Sequence, residues 1–311
     1  MPTESTEPRD DGYFPRGRSM LRRVQGERAV GLLYGQRALM LGAMMHPLAY
    51  FGTSAHTSAK QRPFQRLAHT GKVFETIFFG SREEADKALA FVHQLHRRVR
   101  GKLPEPLGPW PAGTPYSALD PEEMLWGVVA TTFDSARVVY ETLVRGLSDD
   151  EREAMWQDYV RFGELFGMPR GVAPASYLDF QDAWDERLVS DEVLLTEEAR
   201  LAGYETGFAI PVPLVNRPSM RVLELLLLGT LPGRARGLYG LSWGAPQRAA
   251  FEALALAIRR GRPLAPRPVR RGSCEYFFDL VAGTERRRLR AGQPAALFGA
   301  SASSTAPRAR P

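Results

Sequence analysis

Cys274 is the only cysteine in the chain. An internal disulfide is therefore excluded, and so is any zinc or iron–sulfur site built on several thiolates. Long apolar runs are missing as well. The best candidate, 38–51, contains His46 and Pro47 and falls short of the roughly 18 to 20 apolar residues a membrane span requires. Residues 1–11 are polar and acidic without an apolar centre, so they do not read as a secretory signal. The expectation is a soluble, cytoplasmic protein with no membrane span.

Most of the chain also lacks a net positive charge. The formal net charge is +6, yet residues 259–311 carry +9 and residues 1–258 carry −3. A mildly acidic body with a basic end is a poor surface for tracking phosphates, which argues against a nucleic-acid partner. The sequence contains no HExxH, no nucleophile elbow, no GxGxxG and no phosphate loop, so hydrolase and nucleotide-dependent chemistries lose their usual signatures. No stretch alternates with period two between hairpin turns, and no internal repeat is present.

What remains is helix. With 311 residues, 44% of them hydrophobic, the chain can bury a large core. Helical spacing runs from about Gly26 to Met45 through Val30, Leu33, Arg37, Met40 and Met44, and His46-Pro47 closes or kinks it. A polar connection, 52–63, leads to a helix over 64–79. Ser81 with Glu84 forms a capping-box signal for a helix reaching about Arg100. Residues 102–115, with five prolines, read as a loop. Asp120-Pro121-Glu122-Glu123 starts a long helix to about Arg145, and Ser148 with Glu151 starts another to Gly167. Further helices are predicted over 176–188, 196–203, 218–228 and 245–260. The fold class is all-α: one large helical domain over 20–262, a flexible arm over 1–19 anchored at most by Tyr13 and Phe14, and a Pro/Arg-rich, largely disordered tail over 263–311. A short apolar patch at Tyr276, Phe277, Phe278 and Leu280 interrupts that tail.

All five histidines, His46, His56, His69, His93 and His96, fall between Arg37 and Gly101. On the helix starting at Ser81, the apolar residues Ala85, Ala88, Leu89, Val92, Leu95 and Val99 define a buried stripe. His96 lies within it and His93 at its edge. A buried imidazole should be neutral, with a partner for each ring nitrogen. That describes a core histidine bonded to backbone carbonyls, the reading the residues alone favour, and it also suits an axial iron ligand. On the preceding helix, Arg66, His69, Thr70 and Val73 share one face at spacings of three and four. They could line a cofactor or anion site, or Arg66 could pair with an acid and Thr70 with its own helix. His46 reads as a helix-end residue and His56 as a loop residue.

An ordered set of short segments then becomes informative: Glu27-Arg28, Arg37-Ala38-Leu39, His46-Pro47, Arg66-Leu67 with Thr70, Phe79-Gly80, and His96 with Val99 and Gly101. It continues through Tyr116-Ser117-Ala118, Asp120-Pro121, Leu125-Trp126, Phe162-Gly163-Glu164-Leu165-Phe166-Gly167-Met168-Pro169, Leu231-Pro232 and Tyr239-Gly240 with Trp243. This succession, over about 22–262, resembles the family of the MpaB oxygenases and the rubber oxygenase, or latex clearing protein. The resemblance implies a globin-like helical core that binds haem b, with His96 as the proximal iron ligand and Arg66 and Thr70 beside the haem. Two departures stand out. His69 occupies the position of a lysine in the rubber-cleaving members, and no Asp or Glu occurs between Pro47 and Gln65 to match their upstream glutamate.

The expected function is therefore a haem b-dependent oxygenase using dioxygen on an apolar small molecule, unsaturated compounds included. His96 would be the metal ligand, and Arg66, His69 and Thr70 the catalytic side chains. The alternative is a non-catalytic haem sensor or carrier with His69 and His96 both on iron. A third reading is a helical interaction protein that uses the basic tail.

Overall fold

The structure, a computed structural model, describes residues 11–56 and 62–296. The expectations for 1–10, 57–61 and 297–311 lie outside the described residues. Within them the protein is all-α, with one two-stranded ribbon.

The first segment is held more firmly than a loose arm. Phe14 is buried edge-on to Phe78, with ring centroids 6.1 Å apart, and the Tyr13 hydroxyl donates to Asp86 at 2.6 Å. Ser19 caps helix α1 (Met20–Gln25), and its hydroxyl donates to Asp158 at 2.9 Å. The single helix expected from Gly26 to Met45 is two: α2 (Arg28–Gly31) and α3 (Tyr34–Met45). The chain turns tightly between them, with the Leu33 amide donating to the Val30 carbonyl at 3.0 Å, and both Val30 and Leu33 remain in the core. His46 then serves as C-cap of α3 and N-cap of α4 (Pro47–Ala55), with Pro47 at the first helical position, where its missing N–H leaves nothing unsatisfied. Part of the expected polar connection is therefore helical.

Helices α5 (Pro63–Phe79) and α6 (Arg82–His96) form the next antiparallel pair, and the Ser81/Glu84 capping box is present. Helix α6 stops at His96 rather than near Arg100, because Arg100–Lys102 leaves as strand β1 and pairs with β2 (Pro115–Ser117). The proline-rich loop lies between these strands, and Leu48, Leu103 and Tyr116 form a small apolar cluster beneath it. Asp120 caps α7 (Pro121–Met124) by accepting from the Glu122 and Glu123 amides at 2.9 and 3.1 Å. One π turn, Leu125–Val129, joins α7 to α8 (Ala130–Leu143), completing the predicted long helix with a local widening.

The remaining helices are α9 (Asp149–Leu165), α10 (Tyr177–Val189), α11 (Glu197–Phe208), α12 (Arg217–Thr230), α13 (Gly233–Leu238) and α14 (Ala245–Gly261). Gly167 closes α9 with φ of +90°, a conformation L-residues rarely adopt. Helices α3 and α8 cross in the centre. Between them lies a buried ion pair, with Arg37 Nη1 to Asp134 Oδ2 at 2.8 Å. Arg37 also donates to the Thr230 carbonyl at 3.0 Å and Ser135 Oγ at 2.9 Å, so the charge is fully committed.

Residues 263–296 overturn the expectation of a disordered tail. They contain α15 (Arg267–Arg270) and α16 (Glu275–Arg290), and α16 lies along α5. The apolar patch seen in the sequence extends through Val281 and Ala282 at helical spacing, which supplies a face to bury. Gly71 of α5 admits Phe278 so closely that a Cβ there would stand 2.7 Å from its ring. Lys72 pairs with Asp279 at 2.8 Å, and Glu75 accepts from the Cys274 amide at 2.7 Å.

Candidate functional site

Helices α5 and α6 bring the sequence-predicted residues to one side of the domain. On α5, Arg66, His69 and Thr70 are all exposed. On α6, Ala85 and Leu89 are buried but Val92, His93 and His96 are half-buried, as is Val99 just beyond its end. Leu95, expected in the buried stripe, is 43% exposed, because only the first half of α6 meets the core and its last turn runs out toward solvent.

The wall behind the histidines comes from α9. Phe166 lies nearly parallel to the His96 ring, at 6.4 Å and 29°, and edge-on to His93 at 6.3 Å. Phe162 and Phe74 continue the wall, at 5.0 and 6.3 Å from Phe166. Against it, Nδ1 of His96 and Nε2 of His93 are buried with no hydrogen-bond partner among the described residues. The expectation of a protein partner for each nitrogen of His96 therefore fails at Nδ1. Burial holds the His96 imidazole below its ordinary range, and the neighbouring His93 and the Arg66 guanidinium push the same way. His96 is thus a neutral nitrogen base in an aromatic setting, the state in which imidazole binds a metal.

Arg66 is accessible to solvent, yet desolvation lowers its pKa. Its charge reaches His96 on one side and the Tyr50 phenol of α4 on the other. Burial first, then the Glu198 carboxylate, lifts Tyr50 to about 12, and Arg66 opposes the shift. Glu205 of α11 also acts on Tyr50, and burial alone raises its own carboxyl.

His69 packs edge-on to Phe91, with ring centroids 5.8 Å apart, and no described contact joins it to His96. His46 and His56 stand apart from this face. His46 lies 6.1 Å from Trp110, and His56 Nε2 is 3.0 Å from the Tyr116 hydroxyl. Sequence reasoning passed over His93, Phe166, Tyr50 and Glu205. The spacing of three between His93 and His96 was the one local signal for the first; the others come from elements whose approach no local pattern announces. Among the described residues, no group of three or more His, Cys, Asp or Glu could hold a metal ion.

Within an all-helical domain, the structure thus sets a neutral histidine near the Arg66 charge. The chain belongs to the family described as ER-bound oxygenase mpaB/B'/Rubber oxygenase, catalytic domain, which it matches over residues 22–260. Membership places it among oxygenase-type enzymes. It is also similar to the uncharacterized proteins Rv2237 of Mycobacterium tuberculosis and Mb2261 of Mycobacterium bovis. Each is 27% identical over 236 residues, covering 75% of this chain and 86% of the relative. No solved structure matches. No helix among the described residues is long and apolar enough to cross a membrane.

Proposed function

We propose that the protein is a haem b-dependent oxygenase, an oxidoreductase that uses dioxygen on an apolar small molecule, with unsaturated hydrocarbons the first substrates to test. The observation that carries this reading is His96: a neutral imidazole with a buried, unpartnered nitrogen, set against Phe166 and within reach of the Arg66 charge. An unsatisfied buried polar atom costs roughly 1–3 kcal/mol, so such an atom invites a ligand.

The donor set fits haem. His96 would hold the iron, and Arg66 and Thr70 would lie at the edge of the group. Bound haem supplies the electron-transfer and dioxygen chemistry that no side chain offers. The remaining work belongs to the protein. Arg66 would set a fixed positive charge beside the group, and the Thr70 hydroxyl and the His69 ring, on the same face of α5, could donate hydrogen bonds there. Phe74, Phe162 and Phe166 form a dry, apolar wall suited to a hydrocarbon. The Tyr50 phenol, under the influence of both Arg66 and Glu205, adds a hydroxyl near the guanidinium.

An absorption spectrum of the purified protein, oxidised and reduced, tests the reading. A Soret band that His96→Ala abolishes supports it. Absence of haem, or full haem occupancy in His96→Ala, overturns it. A six-coordinate low-spin spectrum in both oxidation states, with no reaction with oxygen, would instead make the protein a sensor or carrier with His69 on the iron.

A further inference from the structure

A second cavity, lined by none of the residues above, opens where α2, the end of α8, the end of α14 and α15 meet. Its volume is about 260 Å3, small beside the roughly 300–1,000 Å3 of drug-sized pockets. Leu143, Ile258, Ala265 and Val269 give it apolar walls. The charges around it do not balance. Glu27, 1% exposed, accepts from Arg262 at 2.6 and 3.1 Å and from Arg271 at 2.7 Å, which uses both its oxygens. Arg270 lines the same cavity with no carboxylate paired to it among the described residues, and its Nε is buried without an acceptor. Arg262 and Arg271 thus share one carboxylate, while Arg270 has none and keeps a buried Nε–H without an acceptor.

We infer that this cavity binds a small amphipathic monocarboxylate, with the carboxylate on the Arg270 guanidinium and a short alkyl chain against Leu143, Ile258, Ala265 and Val269. A planar carboxylate matches the fork of an arginine and satisfies two N–H groups at once. The apolar walls select a ligand with a hydrocarbon end. They disfavour inorganic dianions, whose second charge would have to be desolvated beside Glu27. A cationic amphiphile would meet Arg270 directly and is rejected. The site is formed by the C-terminal segment closing on the body, so its ligand would also fasten α15 in place.

Isothermal titration of the full-length purified protein with hexanoate, hexanol and hexylamine tests this. Saturable hexanoate binding at least about tenfold tighter than hexanol, with no binding of hexylamine, is the expected result. Arg270→Gln should bring hexanoate down to the level of hexanol, and Ala265→Leu, which fills the cavity, should abolish both. Neither variant touches the α5–α6 pair, so the haem spectrum should not change. Hexanoate binding no better than hexanol, hexanoate binding undiminished in either variant, or no saturable binding at millimolar concentrations overturns the proposal. Should Arg270→Gln fail to fold, the ligand series and Ala265→Leu decide alone.

Discussion

The carboxylate of Glu285, on α16, accepts the backbone amides of Phe64 at 3.1 Å and Gln65 at 2.8 Å, the first turn of α5. Helix α5 has no side-chain cap of its own, and Glu285 is fully buried, so a residue 220 positions away supplies the missing acceptor and the negative charge the helix N-terminus favours. Glu285→Ala leaves two amides unsatisfied and should lower stability by about 2–4 kcal/mol in urea unfolding. Removal of residues 259–311 should unfold or loosen α5 rather than detach a passive tail. A truncated protein with native stability would refute this role, and with it the packing of α16 described above.

Arg37 and Asp134 make the same point in the core. Replacing Arg37 with Met leaves Asp134 buried with only Arg137, at 2.7 Å, to balance it. We expect a loss of about 3–5 kcal/mol, while the double replacement Arg37→Met/Asp134→Leu should recover much of it, since a buried pair is worth far less than the penalty for orphaning one member. A double-mutant cycle measures both.

Glu123 and His46 predict a pH response of two opposite signs. Burial lifts Glu123 to about 7 from an ordinary 4.5, despite the Ser117 amide bond at 3.1 Å. The folded state therefore holds this proton longer than the unfolded state, and stability falls as pH rises from about 4.5 to 7. Burial, with Arg187 nearby, holds His46 down at about 4 from 6.5, so its contribution is lost as pH falls through that window. Glu123→Gln keeps the acceptor for Ser117 and should stabilise the protein above pH 7 by up to about 3 kcal/mol, with no gain near pH 4. Thermal melts at several pH values settle it, and an equal effect at every pH would show that Glu123 is not the titrating group.

The parts of this fold that sequence reveals are those with local causes. The capping boxes at Ser81 and Ser148 and the Asp120-Pro121 start mark helix beginnings because their side chains bond their own backbone three residues on. Arg66, His69 and Thr70 share a face for the same local reason. What local pattern cannot carry is partnership across the chain. Helix α16 looks like a charged tail until α5 is beside it, and α6 seems to bury Leu95 until the helix is seen to outrun the core. His93 reads as an edge residue because only Phe166, from α9, makes its environment apolar. Glu205 carries no local mark at all; its approach to Tyr50 depends on α11 docking beside α4.

His69 gives the sharpest test of how the site works. By the family resemblance its position is that of a lysine in the rubber-cleaving members, and under the proposed haem reading its imidazole would be the candidate second iron ligand. In the structure its ring is exposed and engaged with Phe91, whereas His96 carries the buried free nitrogen. The two histidines should therefore behave differently. His69→Leu should leave haem content and the oxidised spectrum unchanged, while His96→Ala should lose the haem. Phe91→Ala, which removes the contact holding the His69 ring outward, should allow a low-spin component to appear, and His69→Leu in the same background should remove it. If His69→Leu alone converts a low-spin spectrum to high-spin, His69 is an iron ligand in the resting protein.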